Sequence, residues 1–454
     1  MNGKELIKAA MSLQQVERTP WVPFVGCHGG FLIGADAEEY LKSEEMIVKG
    51  VNEAVRLYKP DGLPVVFDLQ IEAEILGCEL IWAAENPPAV RTHPLAKEMT
   101  LQNLHIPEKH EGRLPIVLKA AKSIRDNNPD LALYGLITGP FTLAMHLCGY
   151  ELFVKMHREK QYIIELLDFC KKVCFAMSNY YIEIGCDVIA LVDPMTSQIG
   201  PKHFRQFVTS PATEIFGHIR QKNTLSSFFV CGQAQQNIEA MCECRPDNVS
   251  VDENIPLDYV RDICLEHNIS FGGNLRLTVA LLLGKEEDVR QNTLECIETG
   301  GAQGFILAPG CDLPYFTPPE NLKAVTGFIH DPYQQEVIQT LKAYEKSEVI
   351  PDMSDYGKTD KVLVDIITLD SKACAPCQYM VESVKEVVPE FGDIVEWREH
   401  KIKHRESIMF MKSLMVKNIP AICIDGKIAF ASGIPLREEL TAAIRKRVLK
   451  KAKE

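Results

Sequence analysis

A chain of 454 residues exceeds what one hydrophobic core usually organises, so more than one folding unit is expected. Its apolar share of 46% and charged share of 24% are ordinary for a globular protein and exclude general disorder. A formal net charge of -13 argues against nucleic acid or an anionic membrane surface as partner, because both are held by clustered lysine and arginine.

Residues 1–20 (MNGKELIKAAMSLQQVERTP) read as an amphipathic helix that stops before Pro20, with scattered charges and no apolar run fit for a secretion signal. No later stretch has the roughly 18 consecutive apolar residues of a membrane span. From Trp21 to about Phe328, eight short β-branched runs alternate with helical patterns: VPFV before Cys27, LPVVF before Asp68, LYGLI before Thr138, VIALV before Asp193, SFFV before Cys231, VSV before Asp252, ISFGG before Asn274 and FILAP before Cys311. Strands buried on both faces read as continuous apolar runs, and parallel crossovers need helices, so the fold class is α/β and the architecture a (β/α)8 TIM barrel. Nearly every run ends in a polar or metal-capable residue, at the end of the barrel where such enzymes build their sites. We divide the chain into a barrel over 1–345, a linker over 346–360 where apolar periodicity is lost, and a small α/β domain over 361–454.

Fifteen cysteines in a long chain without an export signal imply a reducing cytoplasm rather than a disulfide framework. Cys78, Cys148, Cys170, Cys174, Cys186, Cys264 and Cys296 fall within helix or strand patterns and are expected to be small core residues. The close pair in CECR, Cys242 and Cys244, is expected in a surface loop, and His146 is expected to pack as a satisfied side chain.

The segments FDLQIEAEILGCEL, LITGPFTLAMHLCG, GGN at 272–274 and APGCDLPYFTPPENLKAV resemble stretches of the uroporphyrinogen decarboxylase superfamily, in the family's order. Decarboxylases of that family clamp a carboxylate-rich tetrapyrrole with an arginine-rich N-terminal loop, whereas the corresponding VPFVGCHGGFLIGA has no arginine. Asp68 resembles the decarboxylases' pyrrole-binding aspartate, but one acceptor without the cations does not hold that substrate. The corrinoid-dependent branch is the better match. Its members move methyl groups between methylcobalamin and thiols such as coenzyme M, at a zinc site of the form His-x-Cys plus a distant Cys. Cys231 and Cys311 match the two cysteines, but Phe229 stands where the pattern has histidine. The zinc site that the resemblance implies then needs a further ligand, for which strand-end position offers Cys27, His28, Glu72 or Gln233, while Asp68, Asp193 and Asn274 are expected to face substrate. It also implies a small thiol or methylated substrate, and a corrinoid protein as partner.

In the second domain, KVLVDIITL reads as a strand, CAPCQYMVESVKEVV opens a helix, DIVEWREHKI is a strand and AICIDGKIAF a hairpin around Asp425-Gly426. Cys374 begins that helix, where the dipole lowers a thiol's pKa, so Cys374 is the expected nucleophile and Cys377 the resolving thiol. VKNIPAICIDGK resembles the thioredoxin family's Ile-Pro turn, which makes Pro420 the candidate cis proline and implies a thioredoxin-like domain with CxxC redox chemistry. Three functions remain open: methyl transfer, thiol–disulfide exchange by the second domain with a barrel that only binds a ligand, and decarboxylation, the least favoured.

Overall fold

The computed structural model describes residues 1–454 except 97–98, 332–352, 354–355, 357–358, 369–370, 372–374, 403–406, 408–409, 412, 417–418, 432 and 453–454. The chain forms two compact units, Met1–Ile338 and Gln339–Glu454.

In the first unit, β1 (Gly62–Pro64), β2 (Ala132–Thr138), β3 (Val188–Val192), β4 (Leu225–Val230), β5 (Asn248–Val251), β6 (Ser270–Leu275) and β7 (Phe305–Pro309) lie side by side in chain order, all parallel. An eighth, minimal strand closes the ring. Trp21 bridges in parallel to Leu307, with Val22 N–H donating to Leu307 O at 3.0 Å and Leu307 N–H to Pro20 O at 2.9 Å. On the other side, Asp61 N–H donates to Trp21 O at 2.8 Å. This pairing falls slightly earlier than the expected VPFV strand, because Pro23 has no N–H with which to extend the ladder. Asp61 pins the seam: its carboxylate accepts from Arg18 at 2.6 and 2.7 Å and from Trp21 N–H at 2.8 Å.

Side chains alternate across each strand and build two separate cores. Val22, Phe24, Tyr134, Leu136, Ala190, Val192, Phe229, Ile306 and Ala308 point into the barrel, whereas Leu133, Ile137, Ile189, Leu191, Phe228, Val230 and Leu307 pack under the surrounding helices. Those helices include α1 (Gly3–Met11), α2 (Glu44–Tyr58), α3 (Leu114–Asn127), α4 (Pro140–Cys148), α5 (Lys160–Ile184), α6 (Thr209–Gln221), α7 (Ile238–Glu243), α8 (Leu257–Glu266), α9 (Glu286–Gly300) and α10 (Pro319–His330). α1 starts with a capping box, in which Asn2 Oδ1 accepts from Glu5 N–H and Glu5 Oε2 from Asn2 N–H, both at 3.0 Å. Its apolar side, Ile7, Ala10 and Met11, joins the interior cluster and seals the amino end of the barrel. The opposite end carries Cys231, Asp252 and Cys311, just beyond the carboxyl ends of β4, β5 and β7.

CECR corrects the surface-loop expectation. Cys242 lies in α7 and Cys244 just after it, 1% and 0% exposed, because the apolar face of this one-turn helix carries both thiols inward.

In the second unit, β8 (Val362–Thr368) pairs in parallel with β9 (Val395–Lys401) and antiparallel with β10 (Ala421–Ile424), which turns through Asp425 and Gly426 into β11 (Lys427–Ala431). Both turn residues have positive φ, 45° and 76°, as a two-residue hairpin of this hand requires. Helices α11 (Ala375–Val387) and α12 (Arg437–Lys451) complete the unit, and the Ile419–Pro420 bond is cis. Cys377 is buried on α11, whereas Cys374 and most of the expected linker lie outside the described residues.

Candidate active site

Cys231 follows the last residue of β4, and Cys311 lies two residues beyond β7. Barrel closure brings their side chains within hydrogen-bonding reach of each other, although 80 positions separate them in the chain. That hydrogen bond, burial, and the nearby Asp252 and Asp312 carboxyls push the Cys231 thiol well above its usual pKa. Among the described cysteines these two alone are partly exposed; the other twelve are buried. Gly232 turns the chain beside them at φ 86°, where a Cβ would lie 3.2 Å from Ser197 Oγ, and its N–H is held by Asp252 Oδ2 at 2.8 Å.

Beneath the sulfurs, Phe229 packs against Phe24 and Phe67, with ring centroids 4.9 and 5.9 Å away. Phe229 in β4 and Cys231 just beyond it both join the interior cluster, so the phenyl occupies the place of the histidine in the family pattern.

The other expected site residues are committed elsewhere. Both nitrogens of His28 are taken, Nδ1 by Tyr315 O at 3.0 Å and Nε2 by Tyr58 Oη at 2.7 Å. Burial lowers its pKa to about 4, so the ring is neutral, donates from Nδ1 to the carbonyl and accepts at Nε2 from the tyrosine. Glu72 accepts from Thr138 N–H at 2.9 Å and Thr138 Oγ1 at 2.8 Å. Burial raises the Cys27 thiol, which faces Asp312 and Asp68, and Gln233 is exposed. Asp193 accepts from Thr142 N–H at 2.7 Å, Thr142 Oγ1 at 2.6 Å and Phe141 N–H at 3.2 Å, satisfying the first turn of α4. Asn274 donates to Asp252 O at 3.1 Å and Ile255 O at 2.7 Å, fixing the loop after β5.

Zinc at a catalytic site takes three protein donors and an open position. Two thiols meet here, and no group of three or more His, Cys, Asp or Glu side chains among the described residues is arranged to hold a metal. The donor set does not fit a protein-held zinc ion.

The strand-end reading missed two groups, of which Asp312 lies near the Cys231 thiol. Asp312 follows Cys311 directly; burial raises its pKa well above the carboxylate range, although the Gly26 and Leu313 N–H groups reach it. Its Oδ1 has no hydrogen-bond partner among the described residues, and a Cβ at Gly26 would fall 2.4 Å away, so only glycine fits there. Arg113 bonds Asp68 at 2.5 Å and Glu74 at 2.7 Å and lies over the Trp82 ring at 4.8 Å. Asp312 was visible in the APGCDLP motif, but Arg113 comes from the residue before α3, outside any strand end.

The family model for uroporphyrinogen decarboxylase (URO-D) matches residues 2–332. The chain belongs to this family. Among its relatives in the uroporphyrinogen decarboxylase family, the methylcobamide:CoM methyltransferase MtaA of Methanosarcina barkeri is 29% identical over 301 residues, covering 64% of this chain and 86% of the relative. The methylcobamide:CoM methyltransferase MtbA of Methanosarcina acetivorans is 27% identical over 336 residues, covering 70% and 95%. A solved methyltransferase from Methanosarcina mazei superposes with a TM-score of 0.68 at 26% identity, covering 73% of this chain and 99% of that one. The family match thus coincides with the barrel unit. No helix among the described residues is long and apolar enough to cross a membrane.

Proposed function

We propose that the barrel is a methyltransferase that moves a methyl group between a corrinoid and a small thiol, with Cys231 and Cys311 at the reacting sulfur. The observation that carries this reading is the meeting of two partly exposed cysteines at the carboxyl end of the barrel strands. The relatives, named for methylcobamide and coenzyme M, support it. Decarboxylation of a polycarboxylate is disfavoured, because Arg113 is already neutralised by Asp68 and Glu74.

In the transfer the acceptor's S–C bond forms as the Co–C bond breaks, and the electron pair of that bond stays with the corrinoid. The acceptor must therefore arrive as a thiolate, its proton having passed to water. A Cys231 thiol whose pKa is pushed up remains an S–H donor, and hydrogen bonds from the two cysteines to the incoming sulfur stabilise its anion. The apolar floor of Phe24, Phe67 and Phe229 keeps water from the far side of that sulfur, which strengthens those bonds. The described residues of the barrel carry no domain-sized insertion for a corrinoid, and a corrinoid-carrying protein is the partner we expect, in a reducing cytoplasm.

The test mixes the full chain with methylcobalamin and a panel of thiols while the cobalamin spectrum is followed. Demethylation that falls at least about tenfold in Cys231→Ser and Cys311→Ser, with Cys264→Ser unchanged, supports the reading. No turnover with any thiol, or turnover indifferent to both cysteines, removes it.

For the second unit we propose a thioredoxin-like dithiol domain in which Cys374 attacks, Cys377 resolves and Pro420 faces them. A strand, a helix with Cys377 in its first turn, a parallel strand, a cis Ile419–Pro420 bond and an antiparallel hairpin support it. Insulin reduction that survives Cys374→Ser would remove it.

A further inference from the structure

We propose that Cys231 and Cys311 also form a dithiol–disulfide couple, a thiol–disulfide exchange site in the barrel that reacts with small disulfides. Three observations meet at this place. The two side chains come within reach of each other from the ends of β4 and β7, and among the described cysteines they alone are partly exposed rather than buried. Among the described residues no third donor is arranged with them to hold a metal, since Phe229 fills the position below and His28 and Glu72 are spent on Tyr58, Tyr315 and Thr138. The aromatic floor leaves the mouth of the barrel as the approach for a reagent.

A buried thiol pair supplies the contrast. Cys242 and Cys264 lie 3.7 Å apart, but they are 1% and 0% exposed, so no disulfide in solution reaches them. Accessibility, rather than sulfur proximity alone, distinguishes the mouth pair.

The exchange runs in two displacements. The first attack is assigned to Cys311 and the second to Cys231. The Cys311 thiolate attacks R–S–S–R, a Cys311–S–S–R bond forms and one RS⁻ leaves. Cys231 then gives its proton to that departing thiolate and attacks the Cys311 sulfur, so that the Cys231–Cys311 bond forms and the second RS⁻ leaves to take up the proton Cys311 had lost. The couple is oxidised by two electrons, and the small disulfide is reduced to two thiols. In the oxidised form neither sulfur has a proton to donate, so methyl transfer stops. That consequence rests on the proposed methyltransferase function; the exchange itself does not.

The experiment uses the full chain carrying Cys374→Ser and Cys377→Ser, so that the second unit's dithiol does not compete, with bis(2-hydroxyethyl) disulfide as the probe. After treatment, free thiols are alkylated and the digest is read by mass spectrometry. The expected result is that most chains yield the Cys231 and Cys311 peptides joined to each other. Dithiothreitol separates them, Cys242 and Cys264 stay unlinked, and Cys231→Ser stops at a Cys311 mixed disulfide. Separate alkylation of Cys231 and Cys311 at every probe concentration overturns the proposal. So does retention of one zinc ion per chain that depends on both cysteines, measured after adding zinc alone. A linked pair in a protein without methyl transfer leaves the exchange standing alone; methyl transfer by a protein that never links leaves only the methyltransferase reading.

Discussion

Replacing Phe229 with histidine tests whether this one side chain explains the missing metal donor. Phe229 and both thiols belong to the same interior cluster, so an imidazole at 229 would join the two thiols and complete a three-donor set. Phe229 is 2% exposed and packs against Phe24 and Phe67. The substitution loses part of an aromatic burial worth about 1.5–3 kcal/mol and two ring contacts worth about 0.5–1.5 kcal/mol each, and it must desolvate an imidazole; a net cost of about 3 kcal/mol follows. For a unit of this size each kcal/mol shifts the melting temperature by roughly 2 °C, so the variant in chelator should melt about 6 °C below the natural protein. Zinc at about 100 times its Kd returns about 2.7 kcal/mol, most of that loss. Differential scanning calorimetry with and without zinc, together with metal analysis, reads both effects. A natural protein that already holds stoichiometric zinc, or a folded variant that binds none, would refute the reasoning.

Arg113→Met strands the Asp68 carboxylate, 3% exposed, without its 2.5 Å partner, and should cost about 3–5 kcal/mol in urea unfolding, much of it recovered by adding Asp68→Asn; a cost below about 1 kcal/mol would mean the pair is not effectively buried. Asp61→Ala removes the acceptor that ties Arg18 and Trp21 N–H to the barrel seam, and a loss of at least about 2 kcal/mol is expected, with hydrogen exchange at Val22 and Leu307 accelerated first. Burial and the adjacent Asp252 raise Glu253 from 4.5 to about 8, so the fold favours its protonated form. That contribution is complete below pH 4.5 and is lost as pH rises through about 8, amounting to at most about 5 kcal/mol. Glu253→Gln should flatten the fall in stability across this window, and an unchanged slope would assign it to other groups.

The strand-end rule located a mouth but could not say what each residue there does. A polar residue after a strand can face a substrate or satisfy the backbone of the next turn, and both demands select the same residue types. Asp193 and Asn274 have their hydrogen bonds directed to neighbouring backbone, which depends on loops far away in the chain. Arg113 had no signal at all, because it reaches Asp68 from the beginning of a helix that periodicity marks only as amphipathic.

Hydrophobic period and Pro or Gly punctuation are local properties, and they were enough to determine an α/β barrel, its eight strand positions to within a few residues, and a second α/β unit behind it. The substitution of Phe229 for histidine was equally visible in the chain. Whether anything replaces that donor is a question of convergence. Only the closed ring decided it, by setting two thiols from β4 and β7 against each other while turning His28 toward Tyr58 and Glu72 toward Thr138, because contacts across 80 positions follow from strand order and side-chain direction rather than from any local pattern.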